Sequence, residues 1–246
     1  RPGFFKKVSR TNGVGTYGLR TLMNGVLWPG PHIGKRHADT LRAVRDAGHE
    51  VGIHCYDHIR WQDGLAKMTP DEVFAEFGKA CAEFERIFGA SAKTAGAAGW
   101  QANSLSLAAY EIAGLDYGSD ARGTHPFYPR ANGTVFKTVQ IPTTLPTLDE
   151  LLGRPEYPES KLTDHYLSLL RSDVPNVLTA HAEIDGMAKF DWFRSFIAAA
   201  KAKGIEMVPT ATIAAELKQN PGNIPICDLV DGEVDGRSGT MAVQRC

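Results

Sequence analysis

His54 and His58 stand with three residues between them in Gly52-Ile53-His54-Cys55-Tyr56-Asp57-His58. A strand end running into a helical turn would bring two imidazoles at i and i+4 to one side, where their neutral nitrogens can share a divalent ion. A chance pair on a helix face gives the same spacing, so the motif alone is weak. Cys55 lies between them, and on a strand a neighbouring residue points to the opposite face, which makes it core packing rather than a third ligand. Asp57 either orients the His58 imidazole or caps a turn.

A third histidine, His181, ends Asn176-Val177-Leu178-Thr179-Ala180-His181, a run that reads as a short buried strand. At such an exit it can act as a general acid near neutral pH, the alternative being a satisfied core histidine. Asp120 and Arg122, in Ser119-Asp120-Ala121-Arg122-Gly123, follow another strand-like run. They either pair with each other and orient His181 and a substrate, or form an ordinary turn.

The elements that must position these groups alternate between helical and strand-like patterns from about residue 38, a βα-repeating arrangement. Ala38 to Ala47 carries Leu41, Val44 and Ala47 at helical spacing and stops at Gly48. Thr69-Pro70-Asp71-Glu72 supplies an N-cap, a first-turn proline and an acid three residues on, with Val73, Phe77, Cys81 and Phe84 on one face and Gly89 at the end. Leu105 to Ala113 and Phe190 to Lys203 are further helices. Strands are expected at Glu50 to His54, Lys93 to Gly99, Leu115 to Ser119, Asn176 to His181 and Ile205 to Val208. The Pro- and Gly-rich stretch from His125 to Pro158 is expected to be a long loop with a short helix near Leu148.

Composition narrows the partners. With 27 basic and 28 acidic residues the net charge is -1, which gives no field for nucleic acid. No apolar run approaches the roughly 20 residues of a transmembrane helix, and no signal peptide is read at the start. The four cysteines, Cys55, Cys81, Cys227 and Cys246, show no Cys-x-x-Cys pairing and suit a reducing compartment, with the cytosol as the default. Arg1, Phe4, Phe5, Lys6, Lys7 and Arg10 mix basic and aromatic side chains. Such a segment could rest on an anionic membrane surface, or be an ordinary solvated terminus.

Several stretches occur together in one order: Trp28-Pro29-Gly30 with Ile33-Gly34, the two-histidine run, Trp61-Gln62, Ala97-Ala98-Gly99-Trp100, Ser119 to Gly123, Gln140-Ile141-Pro142 with Thr144-Leu145-Pro146-Thr147, and His181-Ala182-Glu183 with Gly186. In this combination the chain resembles the polysaccharide-deacetylase family (NodB-like, carbohydrate esterase 4). Within that family it is most similar to deformylases of 4-deoxy-4-formamido-L-arabinose carried on undecaprenyl phosphate. The resemblance implies an α/β fold, a distorted or incomplete (β/α) barrel, here one catalytic domain over residues 1–246. It implies His54 and His58 as ligands of one divalent ion (zinc, manganese, cobalt or nickel) and His181 as the acid that protonates the departing amine. Asp120 and Arg122 become site-orienting groups, and Trp100, Gln101, Arg122 and Glu183 surround the sugar or its phosphate.

The family's first strand carries an Asp-x-Asp that supplies a general base and a third metal ligand, and none precedes Trp28 here. Gln101 stands where close relatives often carry Arg. The activity implied is hydrolysis of a formamide on a polyprenyl-phosphate-linked sugar, in lipid A modification and resistance to cationic peptides such as polymyxin, by a protein in the cytoplasm or peripheral at the bacterial inner membrane. Two other readings stand beside it: N-deacetylation of a GlcNAc polymer such as peptidoglycan or chitin, and a non-catalytic carbohydrate- or lipid-binding relative.

Overall fold

Thr69 opens the longest helix in the way its sequence anticipates. Its hydroxyl accepts from the Glu72 amide at 3.3 Å while Glu72 Oε2 accepts from the Thr69 amide at 2.9 Å, a reciprocal capping box with Pro70 in the first turn. The helix runs Pro70–Phe88 and ends at Gly89, whose φ of 71° suits a residue without Cβ. Val73, Phe77 and Phe84 line its buried face and pack with Ile53, Trp61, Ala95 and Tyr110 in one apolar cluster. The computed structural model describes residues 30–246. The basic and aromatic segment from Arg1 to Arg10 and the Trp28-Pro29 match lie outside the described residues.

The chain divides into two compact units. One comprises His32–Thr144, Val208–Gly232 and Met241–Cys246; the other contains Leu145–Met207 and Glu233–Thr240.

The first unit holds the strands. β1 (Thr94–Ala95) and β2 (Tyr117–Gly118) are parallel, with Thr94 opposite Tyr117, and helix Ser104–Ala113 crosses between them. β3 (Tyr128–Ala131) and β4 (Thr134–Val135) are antiparallel about Asn132-Gly133, and β5 (Val139–Gln140) pairs parallel with β2. β6 (Ile226–Glu233) runs parallel to β3, and β7 (Thr240–Arg245) completes a four-stranded sheet in the order β4-β3-β6-β7. The ladder β1-β2-β5 is extended by a single parallel bridge from Ile53 to Ala95. Gly52 permits this approach, because a Cβ there would meet Thr94 Cγ2 at 2.7 Å.

In the second unit, helices Leu148–Leu151, Leu162–Leu169 and Phe190–Ala202 enclose Leu148, Leu151, Tyr166, Ile184 and Phe196. Trp192 stacks on Phe196 with ring centroids 5.7 Å apart.

The helices expected at Ala38, Thr69, Leu105, Leu148 and Phe190 are present. The strands are shorter than their apolar runs. Glu50 to His54 contributes only the Ile53 bridge, Lys93 to Gly99 only Thr94–Ala95, and Leu115 to Ser119 only Tyr117–Gly118. Two expected strands are corrected: no strand is assigned at Asn176 to His181 or at Ile205 to Val208. The run is half-buried rather than buried: Leu178 packs partly against the second unit's core, and Val177 O accepts from the Leu145 amide at 3.1 Å without forming a ladder. The expected long loop from His125 to Pro158 contains β3, β4 and β5. The reading of four reduced cysteines is also corrected, since Cys227 on β6 and Cys246 beyond β7 are disulfide-bonded and only Cys55 and Cys81 carry free thiols.

Candidate functional site

His54 leaves the Ile53 bridge and His58 begins helix His58–Gly64, so the expected strand end leading into a helical turn is present in reduced form. Between them Cys55 takes φ 63°, a left-handed conformation that is uncommon for a residue with a side chain. With that turn the two imidazoles lie together, ring centroids 5.1 Å apart and planes inclined by 60°. Both rings are exposed. His54 Nδ1 lies 2.7 Å from Gly96 O, and because a carbonyl only accepts, Nδ1 carries the proton and Nε2 presents a lone pair.

Cys55 packs against the apolar cluster, and its Sγ accepts from the Ala98 amide at 3.4 Å. Burial pushes its thiol up to about 12, so it stays protonated and a poor metal ligand. Asp57 is the N-cap of helix His58–Gly64, accepting from the Arg60 amide at 2.9 Å. Of the two roles open to it, the cap is the one the structure shows.

Gly96 belongs to a loop that a buried carboxylate holds in place. Asp120 is fully buried, and its Oδ1 accepts from the Ala97 amide at 2.7 Å and from Tyr110 Oη at 2.9 Å, while Oδ2 accepts from Gln140 Nε2 at 2.8 Å. Gln140 Oε1 in turn accepts from the Asp120 amide at 3.0 Å, which fixes the orientation of the Gln140 amide. Desolvation raises the Asp120 carboxyl to about 6, against the pull of its three donors. The same burial, with Asp120 beside it, holds the Tyr110 phenol well above its ordinary range.

Trp100 is buried, donates Nε1 to Thr143 Oγ1 at 3.1 Å, and carries the Arg122 guanidinium over its ring at 5.2 Å. The Gln101 carbonyl accepts from Trp61 Nε1 at 2.9 Å, and Gln101 Nε2 donates to Gly99 O at 3.3 Å. The first unit thus gathers His54, His58, Trp100, Gln101, Asp120 and Arg122 on and around the 96–101 loop.

His181 and Glu183 belong to the second unit. Both are half-buried, and the His181 amide donates to Asp185 Oδ2 at 2.7 Å. The His181 carbonyl accepts from the Ile184 and Asp185 amides, which ties it to the turn Ile184–Ala188. His181 Nδ1 lies 3.4 Å from Asp149 Oδ1. Asp149 also accepts from Thr147 Oγ1 at 2.6 Å and from Arg237 Nη1 at 2.9 Å. Arg237 is 10% exposed and Asp149 3%, so this is a desolvated ion pair whose carboxylate faces the imidazole. Asp149 and Arg237 were missed by sequence reasoning. Thr147-Leu148-Asp149-Glu150 reads as a capping box, which gives Glu150 a role and hides the one belonging to Asp149.

Comparison with known proteins identifies relatives of this chain. A family model described as polysaccharide deacetylase matches residues 24–118. A protein of Shewanella sediminis, named a probable 4-deoxy-4-formamido-L-arabinose-phosphoundecaprenol deformylase ArnD, is 35% identical over 99% of this chain and 78% of its own length. A protein of the same name from Wigglesworthia glossinidia brevipalpis is 27% identical over 100% of this chain and 85% of its own. Among solved structures, one described as a polysaccharide deacetylase from Mycobacterium smegmatis superposes with a TM-score of 0.63 at 19% identity, covering 95% of this chain and 86% of that one. That likeness supports the expected fold, with β1-β2-β5 as an open parallel ladder of a distorted βα framework. The chain belongs to the polysaccharide deacetylase family.

Proposed function

We propose that this protein hydrolyses the formamide of 4-deoxy-4-formamido-L-arabinose carried on undecaprenyl phosphate, releasing formate and a free 4-amino sugar. The observation that carries the reading is the imidazole pair with His54 Nδ1 committed to Gly96 O, in a chain 35% identical to a named deformylase over almost all of its length. The donor set fits a divalent ion of the borderline class: a nitrogen lone pair of fixed tautomer on His54, and a second exposed imidazole beside it at His58. Such an ion, when bound, polarises the formamide carbonyl.

The other roles follow from each group's own surroundings. Asp149, itself held by Arg237 and Thr147, faces His181 Nδ1 at 3.4 Å and orients the ring, so that Nε2 can deliver a proton to the departing nitrogen. Asp120 positions the 96–101 loop from beneath. Arg122, held on the Trp100 ring, Gln101 and Glu183 are assigned to the sugar and its phosphate.

A cationic 4-amino sugar transferred to lipid A offsets phosphate charge, which weakens binding of cationic peptides such as polymyxin. Among the described residues no helix is long and apolar enough to cross a membrane. Peripheral contact with the bacterial inner membrane is proposed from the lipid-linked substrate and from the segment of Phe4, Phe5, Lys6, Lys7 and Arg10.

The test is formate release from the formamido-arabinose lipid by metal-loaded protein, with acetate release from GlcNAc oligomers measured in parallel. Metal-dependent formate release with little acetate supports the proposal. Acetate as the dominant product would transfer the function to GlcNAc polymers, and binding of the lipid without either product would make the chain a binding relative.

A further inference from the structure

The Cys227–Cys246 disulfide lies beside an imidazole that the proposed hydrolysis does not use. His125 Nε2 is 3.7 Å from Cys246 Sγ, and the His125 nitrogen and the two sulfurs all lie within 4.8 Å of one another. A tetrahedral zinc ion with Zn–S of about 2.3 Å and Zn–N of about 2.0 to 2.1 Å sets its ligand atoms roughly 3.5 to 3.8 Å apart. The nitrogen and the Cys246 sulfur already stand at that separation.

The surrounding hydrogen bonds prepare each ligand. Gln244 Oε1 accepts from the Thr124 amide at 2.8 Å and from the Thr124 hydroxyl at 3.4 Å, which fixes the orientation of its amide. Thr124 Oγ1 also lies 2.8 Å from His125 Nδ1, which holds the ring in place. With Nδ1 beside Thr124, Nε2 is the ring nitrogen that faces the sulfurs. Gln244 Nε2 donates to His125 O at 3.1 Å and to Cys227 Sγ at 3.5 Å, a contact that strengthens when that sulfur carries charge. Cys227 is buried whereas Cys246 is exposed, so the group has a deep anchor and an open approach.

We propose that Cys227, Cys246 and His125 form a redox-gated site for a zinc-class ion, separate from the His54 and His58 pair. In the oxidised protein both sulfurs are spent on their mutual bond. Reduction by a dithiol breaks that bond; two electrons pass to it from the dithiol, which becomes a disulfide, and its two protons pass to the sulfurs. Zinc then replaces those two protons, which leave to solvent, and is held by two thiolates and one imidazole with a fourth position for water.

The experiment compares oxidised protein with protein reduced by a dithiol and desalted under nitrogen, titrating zinc against a chromogenic chelator. The expected result is one further equivalent in the reduced wild type and equally in a reduced His54→Gln variant. Reduced Cys246→Ser should lose that equivalent, and reduced His125→Gln should hold it at least 10-fold more weakly. Cobalt substituted for zinc should show a thiolate charge-transfer band in the reduced wild type and not in the oxidised protein. Equal zinc content in oxidised and reduced protein overturns the proposal. So does an extra equivalent unaffected by His125→Gln, or loss of the folded circular dichroism signal on reduction, since the site depends on the preformed arrangement.

Discussion

His54 Nδ1 lies 2.7 Å from the carbonyl oxygen of Gly96, so the first candidate ligand is tied to the loop that leads to Trp100. One hydrogen bond thereby settles the tautomer and the ring orientation, the two properties a metal-binding imidazole must have fixed in advance. The loop is fixed in turn one residue later, where the Ala97 amide donates to buried Asp120.

Replacing either imidazole should therefore remove metal binding and activity together. For His54→Ala and His58→Ala we expect metal affinity to fall by about 10² or more, with formate release reduced in proportion. Equilibrium competition with a chelator measures the first and a formate assay the second. Full metal occupancy in either variant would remove that residue from the ligand set.

Asp149→Asn should lower kcat while leaving metal content unchanged. With a neutral side chain beside Nδ1, the His181 imidazole loses the charged acceptor that orients it as a proton donor. A fall of about 10²-fold is expected, at the low end of what a positioned acid contributes. An unchanged kcat would mean that Asp149 serves only the Arg237 ion pair.

Asp120 gives a stability test with a defined sign. In the folded chain its carboxyl titrates at about 6, against an ordinary 3.8. Between those values the folded state binds more protons at Asp120 than the unfolded one, so this group's contribution to stability is greatest in acid, falls as pH rises through the window, and levels off above it. The spread is worth roughly 3 kcal/mol. Asp120→Asn lacks this slope, although its amide would confront the Gln140 donor and cost about 1 to 3 kcal/mol at low pH. Urea unfolding of both proteins from pH 4 to 7 measures the difference, in which the other carboxylates cancel. A constant difference across that range would show that Asp120 does not titrate there.

What was legible in the sequence and what was not divides along physical lines. Helices carry their own start and stop signals, and Thr69, Glu72 and Gly89 place the longest one almost to the residue. Strands do not, because a run such as Val177-Leu178 records burial while pairing depends on distant chain. Asn132-Gly133, with φ of 49° and 77°, makes the hairpin between β3 and β4 inside the stretch expected to be a long loop, a turn signal that the Pro and Gly content around it masked. The histidines were found because their chemistry is rare. Asp149 and Arg237 were not, since they are 88 residues apart and meet only in the fold.

The last prediction isolates the backbone that carries Arg237 to Asp149. Gly236 has φ 81°, and a Cβ there would stand 2.5 Å from the Glu150 carbonyl oxygen and 3.0 Å from its Cα, neither of which can swing aside as a side chain would. Gly133 has nearly the same conformation, φ 77°, with nothing within 4 Å of its Cβ position. Gly133→Ala therefore meets only the left-handed backbone cost of about 1 to 2 kcal/mol, whereas Gly236→Ala meets that cost and the collision besides. We expect Gly236→Ala to be less stable than Gly133→Ala by at least 1 kcal/mol in urea unfolding. It should also reproduce the kcat loss of Asp149→Asn, because the segment bearing Arg237 has to move away from Glu150 and its neighbour Asp149. Gly133→Ala, in a hairpin turn of the other unit, should keep its kcat. Equal behaviour of the two variants would show that the close approach at Glu150 is not what holds Arg237 on Asp149.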